Sequence, residues 1–294
     1  MSPTTEIRIL VGRELRRGVR STKGIAIGVL TLLGAFVAAL ACVQIERTDR
    51  LAAEATSTAT YVELKRAAIE HATGDAALAA YIASVPSSLL VFLKITVWFL
   101  PLLVALLGFD AVTGDLQNRG VRFWTVRVRR SSYLVGKFLG LWWLVSLVTF
   151  VIDLVADVVA ITRGYATFAE ALGWGLRFWL VAVVIAAAWA SIATFVSASY
   201  RTPMLSLLTT FAVFFVLWLF GLGGFLARVR DTVAGGVGTM ARGMIWYEYL
   251  YPNAYDTMLV SPSGERAAIA VAILLGFSAA LTAAGAVLFA RRDL

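Results

Sequence analysis

Cysteine and histidine are almost missing from this 294-residue chain, which has one of each, Cys42 and His71. A disulfide within the chain is therefore excluded, and so is a zinc site assembled from several Cys and His ligands. Charge is scarce as well, at 15% of residues, where a soluble globular domain carries about 25%. The chain has no G-x-x-x-x-G-K-[ST] loop and so no phosphate cradle for ATP. Gly136-Lys137 lacks the upstream glycine and the following Ser/Thr, and it opens an apolar run. No cleavable signal peptide is evident, because the first apolar run begins near Gly24 and is too long for a signal core.

Apolar residues are what the chain has in excess, at 60%. A bilayer can take up such a surface, at roughly 20 apolar residues per helical span. The fold class expected is therefore all-α, a polytopic membrane protein with six transmembrane helices. The net charge of +8 does not point to nucleic acid, because the basic residues flank apolar segments, where they set topology.

Residues 4–23 read as an amphipathic helix on the membrane surface. Ile7, Val11, Leu15 and Val19 recur every four residues, and Arg8, Arg13, Arg16, Arg17, Arg20 and Lys23 supply a basic remainder suited to an anionic leaflet. The spans are expected at 25–43, 89–109, 133–160, 174–197, 204–226 and 267–290, with Pro101 kinking the second. An Ala-rich, acidic stretch, 44–88, and a Gly- and Tyr-rich stretch, 227–266, are loops on one side. Residues 110–132 form an arginine-rich loop on the other. With the N-terminus inside, the inner segments carry 15 Lys and Arg and the outer ones 9, which places both termini in the cytoplasm. Trp174 and Trp179 are expected at the outer interface. Small residues spaced by four, Gly24 and Gly28 in the first span and Gly276, Ala280 and Ala284 in the sixth, allow close helix contact. Ordinary packing within one chain is weighed there against a homodimer seam.

Asp153, Asp157 and Arg177 fall within spans and need an account. Asp153 and Asp157 are one turn apart on one face of the third span, and a charge at mid-span costs roughly 2.5–3.5 kcal/mol on insertion scales. Arg177 opens the fourth span at a depth similar to Asp157. An ion pair that pins the two helices is expected, in preference to a cation relay. Lys94 starts the second span from outside, where it can snorkel.

Gly114-Asp115-Leu116-Gln117-Asn118-Arg119-Gly120 is followed by Arg129-Arg130-Ser131-Ser132-Tyr133-Leu134-Val135-Gly136-Lys137. This run resembles the cytoplasmic loop of type-2 ABC exporter permeases, in which a Gly-Glu, a Gly-Thr, an Arg–Ser patch and a Leu-Gly-Lys opening the third span occur in that order. Asp115 stands for the Glu and Gly120-Val121 for the Gly-Thr, while Arg127-Val128 replaces a proline-containing turn. Arg13-Glu14-Leu15-Arg16…Arg20-Ser21, Tyr249-Leu250-Tyr251-Pro252 and Arg291-Arg292-Asp293-Leu294 resemble other segments of those permeases, so the likeness spans nearly the whole chain. Within the family the pattern is nearest the permease associated with nitrous oxide reductase maturation.

The resemblance implies a bacterial cytoplasmic-membrane permease without a catalytic site or cofactor of its own. ATP and Mg would be bound by a separate ABC ATPase, in two copies, and a second permease copy or a paralogue would complete the pathway. The ATPase would dock on Asp115, Arg119, Gly120, Arg122, Phe123, Trp124, Arg127, Arg129 and Arg130, with Phe123 and Trp124 as buried anchors, since Arg and Trp are common interface hot spots. The bland alternative is that these arginines only enforce topology. A second function class is a mechanical coupler, which passes ATP-driven motion to an extracytoplasmic partner and moves no solute. An intramembrane enzyme ranks third, because Asp153 and Asp157 are the only candidate carboxylates and lie on one helix. The spans carry no rows of polar residues, which favours amphipathic or lipid-like cargo, or none.

Overall fold

The computed structural model describes residues 2–73, 75–118, 120, 124, 128–233 and 246–291, with the side chains of 71, 72 and 228–233 left aside. Arg119, Arg122, Phe123 and Arg127 of the expected docking loop lie outside the described residues. In chain order the helices are α1 (Pro3–Arg20), α2 (Thr22–Thr56), α3 (Thr58–Thr73), α4 (Ala76–Ala83), α5 (Ser87–Gly108), α6 (Thr113–Gln117), α7 (Arg130–Thr162), α8 (Phe168–Ser199), α9 (Pro203–Val233), α10 (Asp256–Val260) and α11 (Gly264–Ala290). Two short 3-10 turns, Glu248–Leu250 and Pro252–Tyr255, precede α10. No strand occurs among the described residues. Among the described residues six helices are long and apolar enough to cross a membrane: α2, α5 running on into α6, α7, α8, α9 and α11.

Helix α8 is the centre of the bundle. In its most apolar stretch 78% of residues are buried, against 17% in α2 and in α9. The cause is a run of small side chains, Ala186-Ala187-Ala188 and Ala190 around Trp189, all fully buried. Small residues let neighbouring backbones approach on every side. The α7–α8 hairpin is fixed by local signals. Gly164 takes φ +70, its N–H donates to Ile161 O, and the Tyr165 N–H reaches back to Ala160 O, a Schellman ending. Thr167 and Glu170 then form a capping box that starts α8.

The segment after α9 does not stay outside the bundle. Pro101, inside α5, has no N–H, so the Val97 carbonyl one turn earlier loses its helical donor. Asn253 supplies the missing bond, its Nδ2 donating to Val97 O at 2.8 Å and to Tyr251 Oη at 3.0 Å. Its Oδ1 accepts from Trp189 Nε1 at 2.8 Å. Residues 248–255, expected within an external loop, thus insert between α5, α8 and α9. Gly221 of α9 makes room, because a Cβ there would meet the Tyr251 ring at 2.5 Å.

Helix α1 differs from its sequence reading. Leu10 packs on Gly136, Glu14 on Gly140 and Gly18 on Leu144. Each step of four on α1 matches a step of four on α7, so α1 runs alongside the opening of α7 in the same direction. The buried line passes through Glu6 and Leu10, one residue away from the expected stripe, and Val19 of that stripe is exposed. The reason is Gly136-xxx-Gly140, which opens a groove on α7. A Cβ at either position would meet α1 at 2.6 Å.

Of the small-residue pairs noted in the sequence, Gly28 and Gly276 have nothing near a would-be Cβ. Among the described residues nothing packs on the Gly276 side of α11. Gly24 instead sits in the sharp bend at Ser21, where its Cβ position falls on the Gly18 carbonyl.

Candidate functional site

At the α1 end of the bundle an ion cluster joins three segments. Its centre is Asp115 of α6, 4% exposed. Asp115 Oδ1 pairs with Arg17 Nη1 at 2.7 Å, and Oδ2 with Lys137 Nζ at 2.7 Å and Arg13 Nη1 at 3.6 Å. Tyr133 Oη donates to the same Oδ2 at 2.8 Å. Lys137, 1% exposed, also reaches Glu14 Oε1 at 2.9 Å. A buried lysine is tolerated only with such partners. At Arg17, burial acts to lower the pKa, but Asp115 and Glu14 beside it hold the guanidinium above its ordinary value.

The backbone around Asp115 is fixed equally tightly. Val112 at the start of α6 offers no side-chain cap, so Ser197 Oγ of α8 accepts from the Val112 and Thr113 N–H groups at 3.0 and 3.2 Å. Ser206 Oγ of α9 donates to Phe109 O at 2.6 Å. Beneath lies an apolar cluster of Leu10, Val112, Val128, Tyr133, Leu134 and Phe289, in which Tyr133 stacks on Phe289 with ring centres 5.5 Å apart. Glu6 Oε2 accepts the Arg129 N–H at 3.3 Å where α7 begins, a helix end that favours a carboxylate. The result is a rigid knot of α1, α6 and the start of α7.

The structure divides the expected docking residues. Trp124 is half-buried and packs against the apolar cluster, with the Arg13 guanidinium 4.4 Å above its ring. Arg130 turns inward and donates from Nη1 to Ala290 O at 2.8 Å, capping the end of α11. The Arg129 side chain is exposed and Gly120 half-buried. Of the surface-helix residues, Arg16 and Arg20 face outward, while Arg13, Glu14 and Arg17 belong to the knot.

Asp157 and Arg177 are not brought together. Arg177 Nη2 donates to the carbonyls of Val260 and Ser261 at 3.1 and 2.8 Å, and its guanidinium lies 4.9 Å from the Tyr81 ring. It is drawn to the unpaired C-terminal carbonyls of α10, which are nearer partners than a carboxylate on α7. The Asp157 carboxylate rests against Gly175, the residue on α8 with no side chain to collide with it. Asp153 is buried, and among the described residues its Oδ2 has no hydrogen-bond partner. Lys94 pairs with Asp256 at 2.5 Å. Trp179 Nε1 donates to Ser146 O at 2.8 Å, and Trp174 packs edge-on to Tyr81.

The sequence reading gave no role to Lys137, Tyr133, Gly136 or Gly140. Their signal was present, as a lysine just inside an apolar span flanked by glycines four apart. Compared with known families, residues 8–294 match the ABC-2 family transporter protein. No curated protein matches the chain.

Proposed function

Because the chain belongs to the ABC-2 family of transporter proteins, a family of multi-pass membrane transport components that work with an ATPase, we propose that it is an export permease driven by a separate ABC ATPase. The ATPase docks at the α1 end of the bundle, on the loop that follows α6. The observation that carries this reading is the Asp115 knot. A loop that transmits force needs a stiff root, and α6 is tied by ion pairs and caps to α1, α7, α8 and α9. The exposed Arg129 and the loop residues Arg119, Arg122, Phe123 and Arg127 form the contact. Trp124 and Arg130 act from behind it, holding its base. Positive-inside counting supports a cytoplasmic position for this end and both termini, and the motif likeness supports a bacterial inner membrane. The open faces of α2 and α9, with the uncovered small residues of α11, fit a second permease copy or a paralogue. The motif likeness is nearest the nitrous oxide reductase maturation permeases, a subgroup label that says little about cargo.

A mechanical coupler is the second reading, and the far end of the bundle favours it. There α4 is tied to α11 by an Asp75–Arg266 ion pair and α10 to α5 by Asp256–Lys94, which makes a braced outer platform suited to an extracytoplasmic partner.

Copurification with the partner ATPase tests the docking surface. Arg119→Glu with Arg122→Glu should leave membrane insertion intact and release the ATPase. Full retention of the ATPase by that variant would move the docking surface elsewhere.

A further inference from the structure

Helix α1 meets α2 at an elbow, and beneath it lies a cavity of about 150 Å³. That is roughly five times a water molecule's share of liquid volume. Its wall carries Arg17, Lys23 and Asp110, and its floor is Leu107, Leu141 and Leu144. The depth is set by the helices around it. Lys23 lies in the first turn of α2 and Asp110 just beyond the end of α5, so the cavity sits where two apolar spans reach the bilayer surface.

We infer that this elbow cavity holds the headgroup of an anionic phospholipid. Three cations line it, Arg17, Lys23 and the buried Lys137, against two carboxylates, Glu14 and Asp110. Both carboxylates are already neutralised, Glu14 by Lys137 at 2.9 Å and Asp110 by Lys23 at 2.6 Å. With Asp115 and Arg13 behind the wall, four cations meet three carboxylates, one positive charge in surplus, and Arg17 commits Nη1 to Asp115. A guanidinium has five N–H donors, so the rest of its edge remains for a ligand. Lys23 gives one N–H to Asp110 and lies over the Phe109 ring at 4.0 Å, and an ammonium has three donors. Both side chains are partly exposed, 40% and 34%, so they can be reached from outside. A free phosphate would use these donors and leave the leucine floor wet. A phosphodiester with its glycerol and first methylenes fits both halves. Basic pockets between spans on the cytoplasmic side are known headgroup sites. That side assignment rests on the topology proposed above.

The test uses the full chain in detergent micelles, following thermal unfolding with added phosphatidylglycerol, phosphatidylcholine or glycerol 3-phosphate. Phosphatidylglycerol should raise the midpoint and the other two should not. Lys23→Gln should weaken the apparent phosphatidylglycerol affinity about five- to tenfold, the value of one basic contact at a membrane surface. Ala111→Phe fills the cavity but keeps Arg8, Arg16 and Arg20, and it should abolish the shift. An equal phosphatidylglycerol shift in Ala111→Phe and Lys23→Gln would overturn the site. A shift produced by glycerol 3-phosphate would overturn the lipid assignment. If Ala111→Phe does not fold, the affinity of Lys23→Gln decides alone. The readout needs no ATPase, so it can fail while the permease reading stands, and the reverse also holds.

Discussion

The bond from Asn253 to the Val97 carbonyl exists because residue 101 is proline, and that dependence can be measured. Asn253→Leu keeps the approximate volume and removes all three polar contacts, taking a donor from the Tyr251 hydroxyl and stranding the Val97 carbonyl and Trp189 Nε1 in a buried apolar setting. Each stranded group costs about 1–3 kcal/mol, so the single substitution should destabilise by roughly 2–6 kcal/mol. With Pro101→Ala the backbone N–H gained at that position is placed to bond Val97 O within the helix. Asn253→Leu in that background strands only the indole, at about 1–3 kcal/mol. The two changes should therefore couple by about 1–3 kcal/mol in a double-mutant cycle. Thermal unfolding in detergent is a suitable assay, since 1 kcal/mol shifts the midpoint by about 2–4 °C for a chain somewhat shorter than this one. Equal costs of Asn253→Leu with and without Pro101 would refute the argument and reduce Asn253 to a partner of Trp189 alone.

Gly136→Ala puts a methyl against Leu10 and should cost about 1–3 kcal/mol by overpacking, while Gly276→Ala meets no atom and should be neutral or stabilising by up to about 1 kcal/mol; unfolding midpoints of the two variants check this. Asp157→Asn and Arg177→Ala should be additive within about 0.5 kcal/mol, because the two groups do not touch; a large coupling energy would restore the ion pair. Asp75 caps α4, and the Leu78 backbone N–H, with Arg266 adding, holds its pKa below the ordinary carboxylate value. Its contribution is present above the ordinary range near pH 4 and is lost as pH falls through the lower folded value. Asp75→Ala should cost about 1 kcal/mol at neutral pH and flatten the acid limb of a stability–pH curve.

The all-α class and the number of membrane-crossing helices could be read from hydropathy, because a bilayer imposes one length and one composition on each span. The family could be read from an ordered set of weak motifs. Side-chain partners could not. Arg177 had two kinds of acceptor within reach, and only the folded chain shows that the Val260 and Ser261 carbonyls win over Asp157. The face of α1 was misread by one residue, because amphipathic periodicity registers apolar side chains. The docking line here is Glu6, Leu10, Glu14 and Gly18, three of the four polar or bare. Its complement, Gly136-xxx-Gly140, lies more than a hundred residues away. Asn253 looked like a loop residue, since nothing local links it to Pro101.

The pairing of α1 with α7 also has a consequence for biosynthesis. Lys137, which neutralises Glu14 and Asp115, emerges from the ribosome over a hundred residues after α1. At about 5–20 residues per second the N-terminal helix therefore waits on the order of ten seconds for its groove. During that interval its stripe of Ile7, Val11, Leu15 and Val19, with Arg8, Arg16 and Arg20 beside it, suits it to rest on the lipid surface. The amphipathic pattern in the sequence thus suits the interval before the third span arrives and Glu14 meets Lys137.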